Sequence, residues 1–178
     1  TISASLSAEA VSFEAPSAFW FFFDKKTLKT DEPAPSFNLP SLTGGEVTLG
    51  GDFPQAKSTL LFFLSDTCPV CKTLLPILKS IAKQESSWLR LVLASDGEQE
   101  EHAQFIKKTQ LQDFPYLIST ELGMAYEIGK LPYGVLLDDK GTLISHGLVN
   151  TREHLESLLE AKRLGVATVQ SYVAQHSA

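Results

Sequence analysis

The sequence predicts an α/β domain in which a mixed central sheet has helices on both faces and a β-hairpin precedes it. Apolar runs of strand length alternate with amphipathic helical patterns, as in sheets built from strand–helix–strand units. A second hairpin pattern near the carboxyl end adds antiparallel strands, so the sheet is mixed. The 178 residues, 43% of them hydrophobic and 20% charged, suit one globular domain.

The chain divides into residues 1–30, which read as an irregular extension, and residues 31–178, which read as the domain. Residues 18–23 are apolar, but six residues are far short of the roughly 20 needed to cross a bilayer. We interpret this run as an edge strand or a docked segment in preference to an interfacial membrane anchor. Because the sequence starts at Thr1 without a methionine or a signal peptide, we expect a longer, anchored protein.

The first regular elements are a hairpin, a buried strand and a buried helix. Residues 37–39 and 46–49 flank a Thr-Gly-Gly turn signal. Residues 59–64 are continuously apolar, as expected of a central strand covered on both faces. A helix follows, and its buried face is marked by Leu74, Leu75, Leu78, Ile81 and Ala82.

The later elements continue the alternation and end in a second hairpin. The helix over residues 98–109 begins with acidic and ends with basic residues, which suits the helix dipole. The other predicted elements are strands over 89–94 and 116–118, a helix over 121–128, a hairpin of 133–137 with 142–149, a helix from an Asn150/Glu153 capping box to Arg163, and a short helix through Tyr172.

Charge excludes one class of partner. The net charge is −6, and the lysines and arginines are scattered without a basic cluster. Nucleic-acid surfaces need concentrated positive charge. We therefore expect no nucleic-acid partner.

Both cysteines of the chain lie in the segment SDTCPVCK, at Cys68 and Cys71. Two cysteines are too few for a disulfide-stapled scaffold. A protein that handles other proteins' thiols benefits from carrying no spare ones. The pair lies where a central strand ends and a helix begins, the place where open α/β sheets position their chemistry.

The spacing assigns different roles to the two thiols. With Cys68 at the helix N-cap, Pro69 occupies the first helical position, where a missing N–H costs nothing. The free amides and the positive end of the helix dipole favour a thiolate on Cys68. Cys71 lies one turn further in and is less exposed. We predict that Cys68 reacts first and that Cys71 resolves the mixed disulfide.

Other interpretations of the pair are disfavoured. A tetrahedral zinc site, or a copper carrier, needs two more ligands, and the four histidines are not paired at ligand spacing. Inert core cysteines would not occupy a strand–helix junction. We expect no metal and no cofactor besides the Cys68–Cys71 disulfide.

Two prolines bear on the site. Pro76 falls inside the helix and should kink it, because it removes one intrahelical hydrogen bond. Leu131-Pro132 stands immediately before a strand. It is either a proline at a strand's first position or a cis peptide beside the thiols.

These features resemble the thioredoxin superfamily: CxxC followed five residues later by a helix proline, and a proline before the penultimate strand. The resemblance implies a thioredoxin-like fold and a cis Leu131–Pro132 bond facing the cysteines. The opening EPAPSFNLPSLTGG is similar to the membrane-anchored periplasmic branch. FFLSDTCPVCKTLLPILKSIA, KLPYGVLLDDKG and GLVNTREHLESLLEAKRLGVATVQSY resemble the MauD family of methylamine-utilisation accessory proteins, a similarity that runs from about residue 31 to 173.

The resemblance implies a location, partners and a binding surface. Such proteins are periplasmic, tethered by an N-terminal helix that would lie upstream of Thr1. The implied client is the disulfide-rich small subunit of methylamine dehydrogenase, and the implied redox partner is the membrane protein MauE. The client would bind around Cys68, Pro69, Leu131 and Pro132, with the residue before the cis-proline offering its backbone. Tyr133 either lines this groove or is a strand aromatic.

The sequence departs from the superfamily at two proton-relay positions. Phe62 stands where thioredoxins carry a buried acid, and Leu74 stands where cytochrome-maturation relatives carry a glutamate. We hypothesise that Cys71 therefore has a raised pKa and resolves mixed disulfides slowly. Asp66 is either a substitute base or a solvent-exposed residue.

Three functions fit these observations. The first is a thiol–disulfide oxidoreductase that forms or isomerises disulfides in a periplasmic client. The second is a reductant of the cytochrome-maturation type, and the third is a non-catalytic client-binding chaperone. A peroxiredoxin is disfavoured because Leu61 stands where the proline of that motif should be, although Ser65 matches.

Overall fold

The computed structural model describes residues 29–51 and 54–164. The apolar run at residues 18–23 and the last predicted helix lie outside this part of the chain. A hairpin of β1 (Phe37–Pro40) and β2 (Glu46–Leu49) comes first, as predicted.

The central sheet is mixed, as predicted. Its strands are β3 (Ser58–Phe63), β4 (Leu89–Ser95), β5 (Tyr116–Ile118), β6 (Tyr133–Leu137) and β7 (Leu143–Leu148), in the order β5-β4-β3-β6-β7. The β3–β4 and β4–β5 pairs are parallel, whereas β3–β6 and β6–β7 are antiparallel. All six residues of β3 are buried, which confirms its assignment as the central strand.

Two layers cover the sheet. Helices α1 (Pro69–Gln84), α2 (Gln99–Thr109) and α4 (Arg152–Leu164) pack on one face. The short helix α3 (Thr120–Ala125) and the β1–β2 hairpin pack on the other. The fold is thioredoxin-like, with the hairpin added on the amino-terminal side.

Two predicted helix boundaries were wrong. Helix α3 ends at Ala125 and not at residue 128, because Tyr126 leaves the helix and its hydroxyl donates to the Pro35 carbonyl oxygen at 2.7 Å. The cap of α4 is Thr151 and not Asn150: its Oγ1 accepts the His154 N–H at 3.3 Å. The Asn150 N–H instead donates to His154 Nδ1, so Glu153 does not close a capping box.

The hairpin and the segment before it are tied to both edge strands of the sheet. At the β5 edge, the Tyr116 N–H donates to Ser41 Oγ at 2.9 Å and the Leu42 N–H donates to the Tyr116 carbonyl oxygen at 2.8 Å. At the β7 edge, Asp31 and Leu143 are joined by an N–H to carbonyl bond of 2.8 Å. The hairpin is therefore an integral part of the described fold.

Gly50 allows the chain that leaves the hairpin to pass close to the segment that enters it. Its φ is +64°, and a Cβ there would collide with the carbonyl oxygens of Pro35 and Ala34. The neighbouring Gly51 N–H donates to that Ala34 oxygen at 2.8 Å, which fixes the two segments at this distance.

Gly50→Ala is expected to lower the free energy of unfolding by about 2 kcal/mol or more, because the new Cβ adds left-handed strain to a backbone clash. Gly123→Ala is the matched control. It lies in α3 with open space around its Cα, and alanine there should stabilise by about 0.5–1 kcal/mol. Urea unfolding of both variants measures the difference, and equal midpoints would contradict the assignment.

Candidate active site

Cys68 caps helix α1 as the sequence predicts. Its φ of −83° and ψ of 115° are extended, and its Sγ accepts the Cys71 N–H at 3.2 Å. Pro69 follows at the start of the helix. The thiol is partly exposed, so a substrate sulfur can reach it, while the helix amide is directed at the atom that carries negative charge in a thiolate.

Cys71 is fully buried in the apolar layer between α1 and the sheet. Phe62 and Leu74, the two positions where relatives carry acids, lie in the same cluster and are 0% and 1% exposed. Burial raises the pKa of Cys71 to about 12, and the adjacent Cys68 adds to this effect. The direction of this shift agrees with our hypothesis, and burial favours the neutral thiol of Cys71 at neutral pH.

The Leu131–Pro132 peptide bond is cis, which confirms the expectation from the superfamily. Tyr133 pairs with Phe63, the last residue of β3. Pro132 therefore lies at the carboxyl end of β3, from which the chain runs on to Cys68. A groove of about 370 Å³ lies between the segment that follows β3 and the segment that precedes β6. Leu64 lines it on one side and Leu131 on the other. Leu131 is 41% exposed, whereas Pro132 is buried.

Tyr133 is half-buried, and its contacts are internal. Its hydroxyl oxygen lies 2.6 Å from His146 Nδ1, and the two rings stack with centroids 6.0 Å apart. The ring packs against the cluster on the hairpin face of the sheet. These contacts fix Tyr133 beside Pro132.

A buried polar pair that the sequence did not single out lies near Cys71. His102 of α2 is 1% exposed, Tyr116 of β5 is 0% exposed, and His102 Nδ1 lies 2.7 Å from the tyrosine oxygen. One signal could have identified His102: it shares a helix face with Phe105 and Ile106, three and four residues on. Its pairing with Tyr116 depends on the tertiary fold.

Within 29–51 and 54–164, histidine, cysteine and carboxylate side chains nowhere gather in a group of three that could hold a metal ion. In the same ranges, no helix combines the length and apolar character required to span a bilayer.

The fold and the site together define a class. A thioredoxin-like domain with a CxxC pair at the start of the helix after its central strand, and a cis-proline at the same end of the sheet, is a thiol–disulfide oxidoreductase. A match to the AhpC/TSA family, covering residues 30–163, agrees with this class.

Closer relatives identify the family. The methylamine utilization protein MauD of Methylorubrum extorquens is 48% identical over 142 residues, covering 80% of this chain and 68% of the relative. MauD of Paracoccus denitrificans is 49% identical over 143 residues, covering 80% and 70%. The chain belongs to the MauD family.

Solved structures show the same fold. StoA from Bacillus subtilis matches 70% of this chain and 96% of its own, with 26% identity and a TM-score of 0.59. The exposed lipoprotein thioredoxin of Streptococcus pneumoniae matches 71% and 99%, with 20% identity and a TM-score of 0.61.

Iodoacetamide at about pH 8 should modify Cys68 and spare Cys71 in the reduced, folded protein, because only thiolates react and the Cys71 pKa is raised to about 12. The proportion of Cys71 modified should grow as the pH is raised toward that value. Peptide mass mapping measures each site. Unfolding in guanidinium should make both cysteines react, and equal modification in the folded protein at pH 8 would contradict the burial argument.

Proposed function

We propose that this protein acts in the periplasm, held at the inner membrane by a helix upstream of the present sequence. Its client is the small subunit of methylamine dehydrogenase, in which it forms and rearranges disulfides. One observation carries the proposal: an intact CPVC site stands in a chain that is 48% identical to a methylamine utilization protein. The family name supports a role in methylamine utilisation, and the CPVC site supports thiol–disulfide exchange.

Disulfide formation would begin from the oxidised pair. A client thiolate attacks Cys68 Sγ, the Cys68–Cys71 bond breaks, and Cys71 leaves with the electron pair and takes up a proton. A second client thiolate then attacks the client sulfur of the mixed disulfide, which forms the client's disulfide and releases reduced Cys68. Two electrons now reside on the pair, and the membrane protein MauE is the proposed acceptor.

Isomerisation would begin from the reduced pair. The Cys68 thiolate attacks an incorrect client disulfide and forms a mixed disulfide with one client cysteine. While this bond lasts, the released client thiol can exchange with other disulfides of the client. Cys71 can end this state by attacking Cys68, which expels the client thiolate. Because burial raises the pKa of Cys71, little of its thiolate is present at neutral pH. A mixed disulfide that survives for longer gives the client time to reshuffle.

The client would bind along the edge formed by Cys68, Pro69 and the cis-proline loop. Pro69, Val70 and Leu131 are exposed there, so the partly exposed thiol has apolar neighbours. The backbone of Leu131 is the proposed partner of the client strand, with Pro132 and Tyr133 holding that backbone in place.

Cys71→Ser should trap the client on Cys68, because the resolving thiol is absent. In a methylamine-grown host we expect a mixed disulfide with the small subunit of methylamine dehydrogenase, detected by a non-reducing gel shift and mass spectrometry. The control is the Cys68→Ser/Cys71→Ser double variant, which should trap nothing. Recovery of cytochrome-maturation components alone would replace the proposal with the reductant function.

Leu131→Asp should slow the reaction with the client about tenfold, because it places a charge on the apolar binding edge. Met124→Asp is the control, since Met124 is 64% exposed and lies on α3. Stopped-flow mixing with the client's small subunit measures the rate. Equal effects of the two variants would remove Leu131 from the client surface.

A further inference from the structure

The groove of about 370 Å³ beside the cis-proline segment takes no part in the sulfur exchange described above. It is lined by the carboxyl ends of β3 and β4, by the start of α3, and by residues 128–131. The strand residues Phe63, Leu64 and Ala94 that line it are apolar and buried. Its volume falls within the range of roughly 300–1,000 Å³ that is usual for ligand sites.

Hydrogen bonds hold the lining segments against one another. Ser95 Oγ donates to the Leu64 carbonyl oxygen at 2.6 Å and joins the ends of β3 and β4. The Ser119 N–H donates to the Ser95 carbonyl oxygen at 2.9 Å, which joins the start of α3 to β4. The Ile128 N–H donates to the Gly123 carbonyl oxygen at 2.9 Å, which joins α3 to the segment that precedes β6. Because the groove is formed in advance, a ligand does not have to order its lining.

Two glycines leave the groove open. Gly123 lines it from α3, and Gly129 lines it from the segment that precedes β6. A Cβ added to either glycine would have no atom within 4 Å. A larger side chain at either position would therefore take up space that is now available to a ligand.

The charges at the groove offset each other. Asp96 and Lys130 are the charged residues of its lining, and both are exposed. One acid and one base together give no preference for a charged ligand. The buried apolar strand ends favour a large apolar group instead, and an aromatic side chain offers the most apolar surface of this kind.

The groove and Cys68 lie on opposite faces of the sheet. Cys68 packs against the apolar cluster under α1, whereas Phe63 and Ala94 of the groove belong to the cluster on the hairpin face. Leu131 lines the groove and is also exposed on the proposed client-binding edge. Successive side chains of a β-strand point to opposite faces. A client strand on the Leu131 backbone that directs its cysteine toward Cys68 therefore directs the next residue toward the groove.

We propose that this groove is a specificity site that binds an aromatic side chain of the client, carried by the residue directly before or after the reacting cysteine. The site rests on the client-binding edge proposed above, and it adds the feature of the client that this edge selects. Binding of the aromatic ring holds the client sulfur at Cys68 and takes no part in the exchange of sulfur bonds.

Synthetic peptides with one cysteine, each carrying thionitrobenzoate (TNB) on its sulfur, test the proposal. Cys68 Sγ bonds to the peptide sulfur, the bond from that sulfur to TNB breaks, and TNB leaves with the electron pair as a coloured thiolate. Phenylalanine directly beside the cysteine should raise the second-order rate constant about tenfold over alanine, because the ring leaves water. Phenylalanine two residues from the cysteine should change the rate by less than about twofold, because it faces away from the groove. Glutamate or lysine beside the cysteine should give no gain.

Two variants locate the preference in the groove. Gly123→Leu fills the groove from α3 and Gly129→Leu fills it from the opposite segment, and each should remove the preference for phenylalanine. Gly147→Leu is the matched control, because a Cβ there also has no atom within 4 Å but Gly147 lies on β7, outside the groove lining. It should keep the full preference. An unchanged rate with the alanine peptide reports that the Cys68 site of each variant is intact.

Four results would overturn the inference. They are equal rates for the phenylalanine and alanine peptides in the unsubstituted protein, a gain only for phenylalanine two residues away, a full preference in both groove variants, and an equal loss of preference in Gly147→Leu. The peptide series in the unsubstituted protein needs no variant to fold. Since the peptides replace the client, failure here leaves the proposed function standing, and failure of the trapping experiment leaves the peptide preference standing.

Discussion

The burial of Cys71 is the constraint on which the rest of the site depends. A thiol placed in an apolar layer is costly to ionise, so the chemistry is divided between this neutral sulfur and the accessible one at the helix cap. The helix start supplies the amide that holds Cys68, and the sheet supplies the layer that encloses Cys71. The strong asymmetry between two thiols three residues apart is therefore a property of the strand–helix junction.

The two faces of the sheet contain different parts of the structure. The face under α1, α2 and α4 contains the buried thiol together with the Tyr116–His102 pair. The opposite face is covered by the hairpin and α3. Hydrogen bonds from the hairpin turn and from the segment before the hairpin hold the edge strands β5 and β7. Because β5 has only three residues, the two hydrogen bonds from the hairpin turn to Tyr116 supplement its pairing with β4.

Much of this architecture was predictable because strands and helices leave periodic patterns in the sequence. The limits of β5 and β6 match the predicted ranges, and Cys68 is the cap that its spacing to Pro69 indicated. The cap of α4 was missed by one residue, since Asn150 and Thr151 are both capping types and only the fold selects between them. The partner of Tyr116 was missed for a different reason. No local pattern in the sequence predicts that the His102 face of α2 will pack against Tyr116 of β5.

The hairpin's attachment to Tyr116 also fixes the order in which the molecule can be completed. Ser41 and Tyr116 are 75 residues apart, and joining such distant segments costs loop-closure entropy that an incomplete core cannot offset. The hairpin leaves the ribosome before β5 exists, so it must wait for the strand it holds. A chain interrupted before β5 carries both cysteines but has no strand on which the hairpin turn can dock. The hydrogen bonds between the hairpin turn and Tyr116 can therefore form only after β5 has been synthesised, and their presence reports the completed sheet.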